Sequence, residues 1–249
     1  MPPRAAEQDP RCADLEQELQ AFSYTVSHDL AGCFRHVSQF SRLLLAETED
    51  AGAARRRAHA ESVRRAADRC QLMLDQLLVY SRVQQKPLAP MRHDATPSAD
   101  LAIARLAATE TIGAEVSIEP LGEVWADATL LRLALEHLID NAIKFRRPGA
   151  RPRVAIRPAH DARTWRVRIR DDGLGVDPRR REQAFQMFRR LNGEDDFAGV
   201  GAGLAICRRI ARRHGGDACF VDCDAGACVQ LSLPRGDPAD AEFRLAGSA

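Results

Sequence analysis

Leu15, Leu19, Phe22, Val26, Leu30, Cys33, Val37, Phe40 and Leu44 recur at alternating steps of three and four residues. No other feature of the chain restricts its fold as strongly. A stripe of that period demands an α-helix that buries one face and wets the other. It predicts a helix from about Cys12 to about Glu49. Ala51-Gly52-Ala53-Ala54 then reads as a weak turn, and a second helical pattern puts Val63, Ala66, Cys70, Leu74, Leu77 and Ser81 on one side. Two long amphipathic helices with a short connection make an antiparallel hairpin. Such a hairpin cannot cover its own apolar stripe. A second copy would do so, giving a dimeric four-helix bundle; the alternative is that the stripe packs on the remainder of the chain.

His28 sits two residues from both Val26 and Leu30. At about 100° per residue it points roughly 200° away from the stripe, on the outer side of the helix. Asp29 follows it directly. An exposed imidazole beside a carboxylate can be a nucleophile with its base, or two solvated polar residues.

Residues 1–11 are poor in apolar groups and read as a disordered N-terminus, and residues 12–86 as the hairpin. Lys86-Pro87-Leu88-Ala89-Pro90, followed by Pro97, breaks helix, so residues 87–97 read as a linker. Beyond it the pattern changes. Helical stretches at 98–112, 127–146, 178–190 and 202–214 interleave with β-like runs at 115–119, 123–126, 153–157, 164–170, 218–223 and 228–233. Trp165, Val167 and Ile169 alternate with arginines, as on a sheet with one wet face. Residues 98–234 are therefore expected to form an α+β layer, a mixed sheet with helices on one face, and residues 235–249 a tail.

Composition closes off other classes. A net charge of +1 implies no wholesale attraction to nucleic acid or anionic membrane. No apolar run reaches membrane-spanning length and the first ten residues lack a signal-peptide core, so a cytoplasmic protein is expected. Seven cysteines without paired spacing fit a reducing compartment. Cys219, Cys223 and Cys228 fall near His214, either as a metal set or as small residues alternating on paired strands. The basic side is almost all arginine, and Lys86 and Lys144 are the only lysines.

Three segments of the second half carry more than packing. Asp140-Asn141-Ala142-Ile143-Lys144-Phe145 ends a helix built from Leu131, Leu135, Leu138 and Ile139. Its Asn can hold a Mg²⁺ against phosphate oxygens, and Lys144 offers a point charge suited to phosphate. Asp171-Asp172-Gly173-Leu174-Gly175 follows a strand; its glycines allow a flat ring to lie close, and its carboxylate can accept from an exocyclic amino group. Gly199-Val200-Gly201-Ala202-Gly203-Leu204 opens a helix and leaves backbone N–H groups available to anionic phosphate. The spacing is not the dinucleotide-binding one.

Taken in order, Ser27-His28-Asp29-Leu30, Asn141 to Phe145, Asp171-x-Gly173-x-Gly175, Phe185-x-x-Phe188 and Gly199-x-Gly201-x-Gly203 resemble the H, N, G1, F and G2 boxes of sensor histidine kinases. Phe22-Ser23-Tyr24 and Met187-Phe188-Arg189-Arg190-Leu191 look most like the phytochrome-like group, and the likeness covers roughly residues 15–234. The resemblance implies a dimerisation and histidine-phosphotransfer hairpin followed by a gyrase/histidine-kinase-type α/β sandwich that binds ATP. It makes His28 the phosphoacceptor, Asp29 its base and orienter, Asn141 the Mg²⁺ holder, Lys144 a phosphate contact and Asp171 the reader of the adenine amino group. Gly173 and Gly175 would line the base pocket. Residues from about Asp177 to Gly199 would form an ATP lid anchored by Phe185 and Phe188, with Gly201, Gly203 and Leu204 on its phosphate side. The implied partners are a response-regulator receiver domain, a second copy of the chain, and an upstream sensory domain or sensor protein.

The chain departs from the family at two places. After His28-Asp29-Leu30 it reads Ala31-Gly32-Cys33-Phe34, where relatives place a proline and a polar residue suited to phosphatase activity. The missing proline should leave the helix straight. His137 stands four residues before Asn141, where kinases carry a second Asn and gyrase-type ATPases a Glu; a neutral His can still ligate metal or meet phosphate. These changes keep a second reading alive, a kinase-impaired relative acting as a dimeric scaffold or phosphorelay. A gyrase-type ATPase would need its Glu at 137, and Glu136 is turned about 100° away.

Overall fold

The computed structural model describes residues 26, 29–44, 53–109, 113–159, 161–191 and 197–236. The chain divides into two compact units between Asp75 and Gln76. Among the described residues of the first unit, 29–44 are helical (α1) and run through Gly32 without a break, as the missing proline predicts. Leu15, Leu19, Phe22, Ser27 and His28 lie outside the described residues. The second helix, α2, is Ala53–Gln85, so Ala53 and Ala54 belong to helix rather than to the expected turn. Its inward face also differs in detail. Cys70 and Met73 are buried, while Leu74, assigned to that face, is exposed together with Leu72. Cys33 and Val26 are the buried positions of the first helical stretch. Phe34 and Leu43 remain exposed on it, so the hairpin leaves apolar surface uncovered within a single chain.

The second unit holds the sheet. In chain order come β1 (Met91–Asp94), α3 (Thr96–Thr109), β2 (Glu115–Ile118), β3 (Glu123–Ala126), α4 (Ala128–Lys144), β4 (Arg153–Pro158), β5 (Thr164–Asp171), α5 (Gly203–Arg213), β6 (Asp217–Phe220) and β7 (Cys228–Pro234). Five strands pair in the order β2-β4-β5-β7-β6, with β2 and β4 parallel and the other pairs antiparallel. Trp165, Val167 and Ile169 of β5 are buried against the helices, and the arginines between them face outward. The indole N–H of Trp165 donates to the Leu121 carbonyl at 2.8 Å, so the largest core side chain leaves no polar atom unpaired.

Two expectations are corrected. Residues 91–94, taken as linker, form a strand antiparallel to β3, with Met91 opposite Ala126, and the next helix begins at Thr96. Pro97 thus falls in the first turn, where its missing N–H costs nothing. Residues 178–190 are not a helix. They fold as two 3-10 turns, Pro178–Arg180 and Gln183–Phe185, the first capped by the Asp177 carboxylate on the Arg179 amide at 2.9 Å. The Phe188 backbone, at φ 62°, is left-handed and ends any continuation.

Helix α4 is the spine of this unit. The Asp127 carboxylate caps it, accepting from the amides of Thr129 at 3.0 Å and Leu130 at 3.1 Å. Asp127 is itself fixed by Lys86, whose Nζ lies 3.3 Å from its Oδ2, and by His214, whose Nε2 accepts the Asp127 N–H at 3.0 Å. One of the two lysines therefore serves the helix start. The apolar side, including Leu131, Leu135, Leu138 and Ile139, is fully buried. At about 1.5–3 kcal/mol for each large aliphatic side chain, this face is what holds the helix on the sheet.

Candidate functional site

The last turn of α4 presents Asn141 and Lys144. Its end is closed by the Phe145 amide donating to the Asn141 carbonyl at 3.1 Å. Phe145 then returns the contact: its own carbonyl accepts from the Leu174 amide at 3.0 Å. Gly173 packs so tightly there that a Cβ would stand 2.3 Å from the Phe145 carbonyl oxygen. The Arg147 guanidinium adds a bond to the Gly173 carbonyl at 3.3 Å. The helix end and the turn after β5 are one rigid junction.

Asp171 closes β5 beside that junction. Its Oδ1 accepts from the Gly173 amide at 2.9 Å and the Ala227 amide at 3.0 Å. Burial pushes its carboxyl above the ordinary value, and the two amides work in the opposite direction. Oδ1 is thereby committed to the backbone. Gly226 makes this possible: its φ is 69°, and a Cβ would lie 2.0 Å from the Asp171 carbonyl oxygen. Gly175 rests on the Gly226 carbonyl in the same way, at 2.9 Å from the site of its own absent Cβ. Ala227 and Gly226 were not found from sequence, because a backbone amide carries no side-chain signature. Only the Asp224-Ala225-Gly226 turn before β7 hinted at a special backbone there.

Gly199, Gly201 and Gly203 approach α4 and the 185–190 segment at three different points. A Cβ on Gly199 would stand 2.7 Å from Lys144 Nζ. Gly203, the first residue of α5, faces Asn141 Nδ2 at 3.4 Å and His137 Nδ1 at 3.5 Å by the same measure. Gly201, with φ 77°, lies under the Arg189 carbonyl, 2.7 Å from where its Cβ would be. Leu204 follows, half-buried, in the first turn of α5. Burial lowers the proton affinity of Lys144, Asp140 opposes that, and Arg190 adds to it. The Lys144 ammonium also sits 5.1 Å from the Phe145 ring centroid, and that ring packs on Phe197.

His137 is buried enough that its pKa falls to about 4, leaving a neutral ring. Its Nε2 has no hydrogen-bond partner among the described residues. An amide, an imidazole and an ammonium, His137, Asn141 and Lys144, thus meet the triple-glycine segment, with hard oxygen available from Asn141 by a half-turn of its amide. The amide oxygen can ligate a divalent cation, and the ammonium can neutralise the phosphates it carries.

Phe185 and Phe188 are both buried. The Arg208 guanidinium lies 3.7 Å over the Phe185 ring, whose edge meets Phe220 at 5.5 Å between centroids. Arg208 also grips the Glu182 carboxylate with both terminal nitrogens and gives its Nε to the Ala218 carbonyl at 2.9 Å. The Cys219, Cys223, Cys228 and His214 set does not gather: His214 is spent between Asp127 and the Ile210 carbonyl, 2.8 Å from its Nδ1. No group of three or more His, Cys, Asp or Glu suited to a metal exists among the described residues. In the first unit, Asp29 is half-buried on the helix. His28 lies outside the described residues.

Residues 126–237 match the family of histidine kinase-, DNA gyrase B-, and HSP90-like ATPases. Cyanobacterial phytochrome A of Nostoc sp. is 33% identical over 208 residues, which are 82% of this chain and 27% of the relative. The phytochrome-like protein Cph1 of Synechocystis sp. is 30% identical over 222 residues, 88% of this chain and 30% of the relative. The chain spans less than a third of the length of these two relatives. In fold it is similar to histidine kinase ThkA, solved in complex with response regulator protein TrrA, with a TM-score of 0.66 at 16% identity over 90% of this chain and 64% of that one.

Proposed function

The chain belongs to the sensor histidine kinases, as a kinase core of the phytochrome-like group, and on that premise we propose that it phosphorylates itself on His28 from ATP and passes the phosphoryl group to an aspartate of a response regulator. The observation that carries the proposal is the paired arrangement in the second unit. A half-buried carboxylate, Asp171, is braced by two backbone amides, and a triple-glycine segment lies against Asn141 and Lys144. One feature suits a base with an amino edge, the other a chain of phosphates.

In this reading Asp171 Oδ2 accepts from the adenine amino group, while Gly173 and Gly175 keep side chains out of the base pocket. Lys144 neutralises phosphate charge. Its lowered proton affinity is restored by an anion, so binding phosphate and holding the proton reinforce one another. Asn141, with His137 near Gly203, would hold Mg²⁺, which would supply charge neutralisation at the phosphates. The Phe185 and Phe188 anchors, the first pinned by Arg208, hold the base of the lid segment. His28 Nε2 or Nδ1 attacks the γ-phosphorus as the bond to the β,γ-bridging oxygen breaks. Asp29 takes the proton from the ring's other nitrogen.

Uncovered apolar side chains on both hairpin helices, Phe34, Leu72, Leu74 and Leu78 among them, support a homodimer. No helix among the described residues is long and apolar enough to cross a membrane; a cytoplasmic location belongs to the same proposal. The input comes from a sensory domain or a separate sensor protein. Incubation with γ-labelled ATP and Mg²⁺, followed by a receiver domain, tests the assignment. Label should build up on the chain and leave it when the receiver is added. Steady phosphate release with no label on the chain would instead indicate an ATPase, and no label with intact nucleotide binding would indicate the scaffold reading.

A further inference from the structure

A buried sulfur–sulfur contact, with a third buried sulfur one helical turn away, lies inside the first compact unit, away from every group used above. Cys33 of α1 donates to Met73 Sδ of α2 at 3.4 Å. The neighbouring Cys33 thiol also acts on Cys70, holding its proton on. Cys70 and Met73 are three residues apart on α2 and share a face. All three residues are buried, with Met73 1% exposed.

We propose that Cys33, Cys70 and Met73 form a three-sulfur site for a soft monovalent metal ion, Cu(I), held between the two helices of the hairpin. Thiolate and thioether donors select Cu(I), whereas Mg²⁺, Ca²⁺ and Mn²⁺ take oxygen ligands and structural zinc takes four from Cys and His. No Cys/His/carboxylate group of three exists among the described residues, so the thioether is what completes this set. The step balances simply. Cu(I) replaces the thiol protons of Cys33 and Cys70, which pass to solvent, and Met73 lends a lone pair, leaving one net negative charge. The Arg69 guanidinium acts on Cys70 in the direction that favours its thiolate. In the metal-free site burial and the neighbouring thiol push Cys70 up to about 11. Cu(I) must displace the Cys70 proton, so metal affinity should rise with pH. Protonated thiols are also poor nucleophiles, which disfavours a spontaneous disulfide.

The test is an anaerobic titration of the reduced full chain with Cu(I) supplied as its bicinchoninate complex, with X-ray absorption on the loaded protein. The expected result is one Cu(I) withdrawn per chain and a first shell of sulfur alone. Loss of an outer-shell partner of a metal site typically costs 10- to 100-fold in affinity, so Cys33→Ser and Cys70→Ser should each lose at least about 100-fold. Met73→Leu keeps the packing volume and should lose about 10-fold while melting like the parent. A Cys12→Ser, Cys219→Ser, Cys223→Ser triple variant should bind as the parent does. If the reduced chain leaves Cu(I) on bicinchoninate, or if Met73→Leu and both serine variants bind like the parent, the site does not exist.

Discussion

The Asp171 side chain and the Ala227 backbone amide, 56 residues apart in sequence, meet at 3.0 Å. This bond does two things at once. It joins the end of β5 to the start of β7, and it commits one carboxylate oxygen to the protein.

Asp171→Asn follows from that geometry. An Asn keeps an oxygen for the Gly173 and Ala227 amides but presents an NH₂ where the ligand's amino group should donate. A hydrogen bond to a charged group is worth about 1.5–3 kcal/mol, so ATP affinity should fall by about 10- to 100-fold by calorimetric titration. Burial raises the Asp171 pKa, so its ionised form is a cost to the fold once the pH exceeds the unfolded value of 3.8. The variant should therefore melt no lower than the parent at pH 7.5.

Gly201→Ala tests the backbone beneath the lid segment. The substitution forces φ 77° on a residue with a Cβ and sets that Cβ 2.7 Å from the Arg189 carbonyl. Left-handed strain and the clash together should cost about 1–3 kcal/mol. At roughly 2–4 °C per kcal/mol for a chain of this size, calorimetry should show a clear fall in Tm.

Arg208→Ala removes the cation over Phe185, the grip on Glu182 and the bond to Ala218. Glu182 itself is well exposed, so the loss comes mostly from the ring contact and buried stem, about 1–3 kcal/mol in urea denaturation. Arg208→Lys should recover less than half of it, since an ammonium cannot fork across a carboxylate and also reach the carbonyl.

His214 predicts a pH dependence. Burial lowers its pKa from 6.5, and the Ile210 carbonyl and Asp127 act in the opposite direction. The unfolded chain therefore binds the proton more readily than the folded one. Stability from this residue is complete above the unfolded pKa of about 6.5 and is lost as pH falls towards the lower folded value. Protonation would also set an Nε2–H against the Asp127 N–H that it now accepts. His214→Gln should flatten the stability curve between pH 7 and 5, measured by denaturant midpoints, while lowering stability at pH 7.5.

Much of the architecture was legible because burial writes itself into side chains. Trp165, Val167 and Ile169 named their strand, and Leu131, Leu135, Leu138 and Ile139 named α4. Asn141, Lys144, Asp171 and the three glycines stood out by residue type, and the fold sets the glycines against Asn141, Lys144 and the 185–190 segment. Met91–Asp94 could not, because Met-Arg-His-Asp has no alternation and its pairing with β3 is made by the backbone. The segment at 178–190 has helical composition, yet the left-handed turn at Phe188 is set by tertiary packing. Lys86 attracted attention as a rare lysine, and its charge is used at Asp127 to start a helix. Ala227 contributes only an N–H, which no sequence pattern distinguishes.

The central claim is that His28 receives the γ-phosphoryl group of ATP. The most direct measurement is labelling of the chain with γ-labelled ATP and Mg²⁺, comparing the parent with His28→Gln and Asn141→Ala. Acid-labile, alkali-stable label is expected in the parent, mapped by mass spectrometry to the peptide bearing His28, and none in either variant. Label persisting in His28→Gln, or no label in a parent that binds ATP, would contradict it.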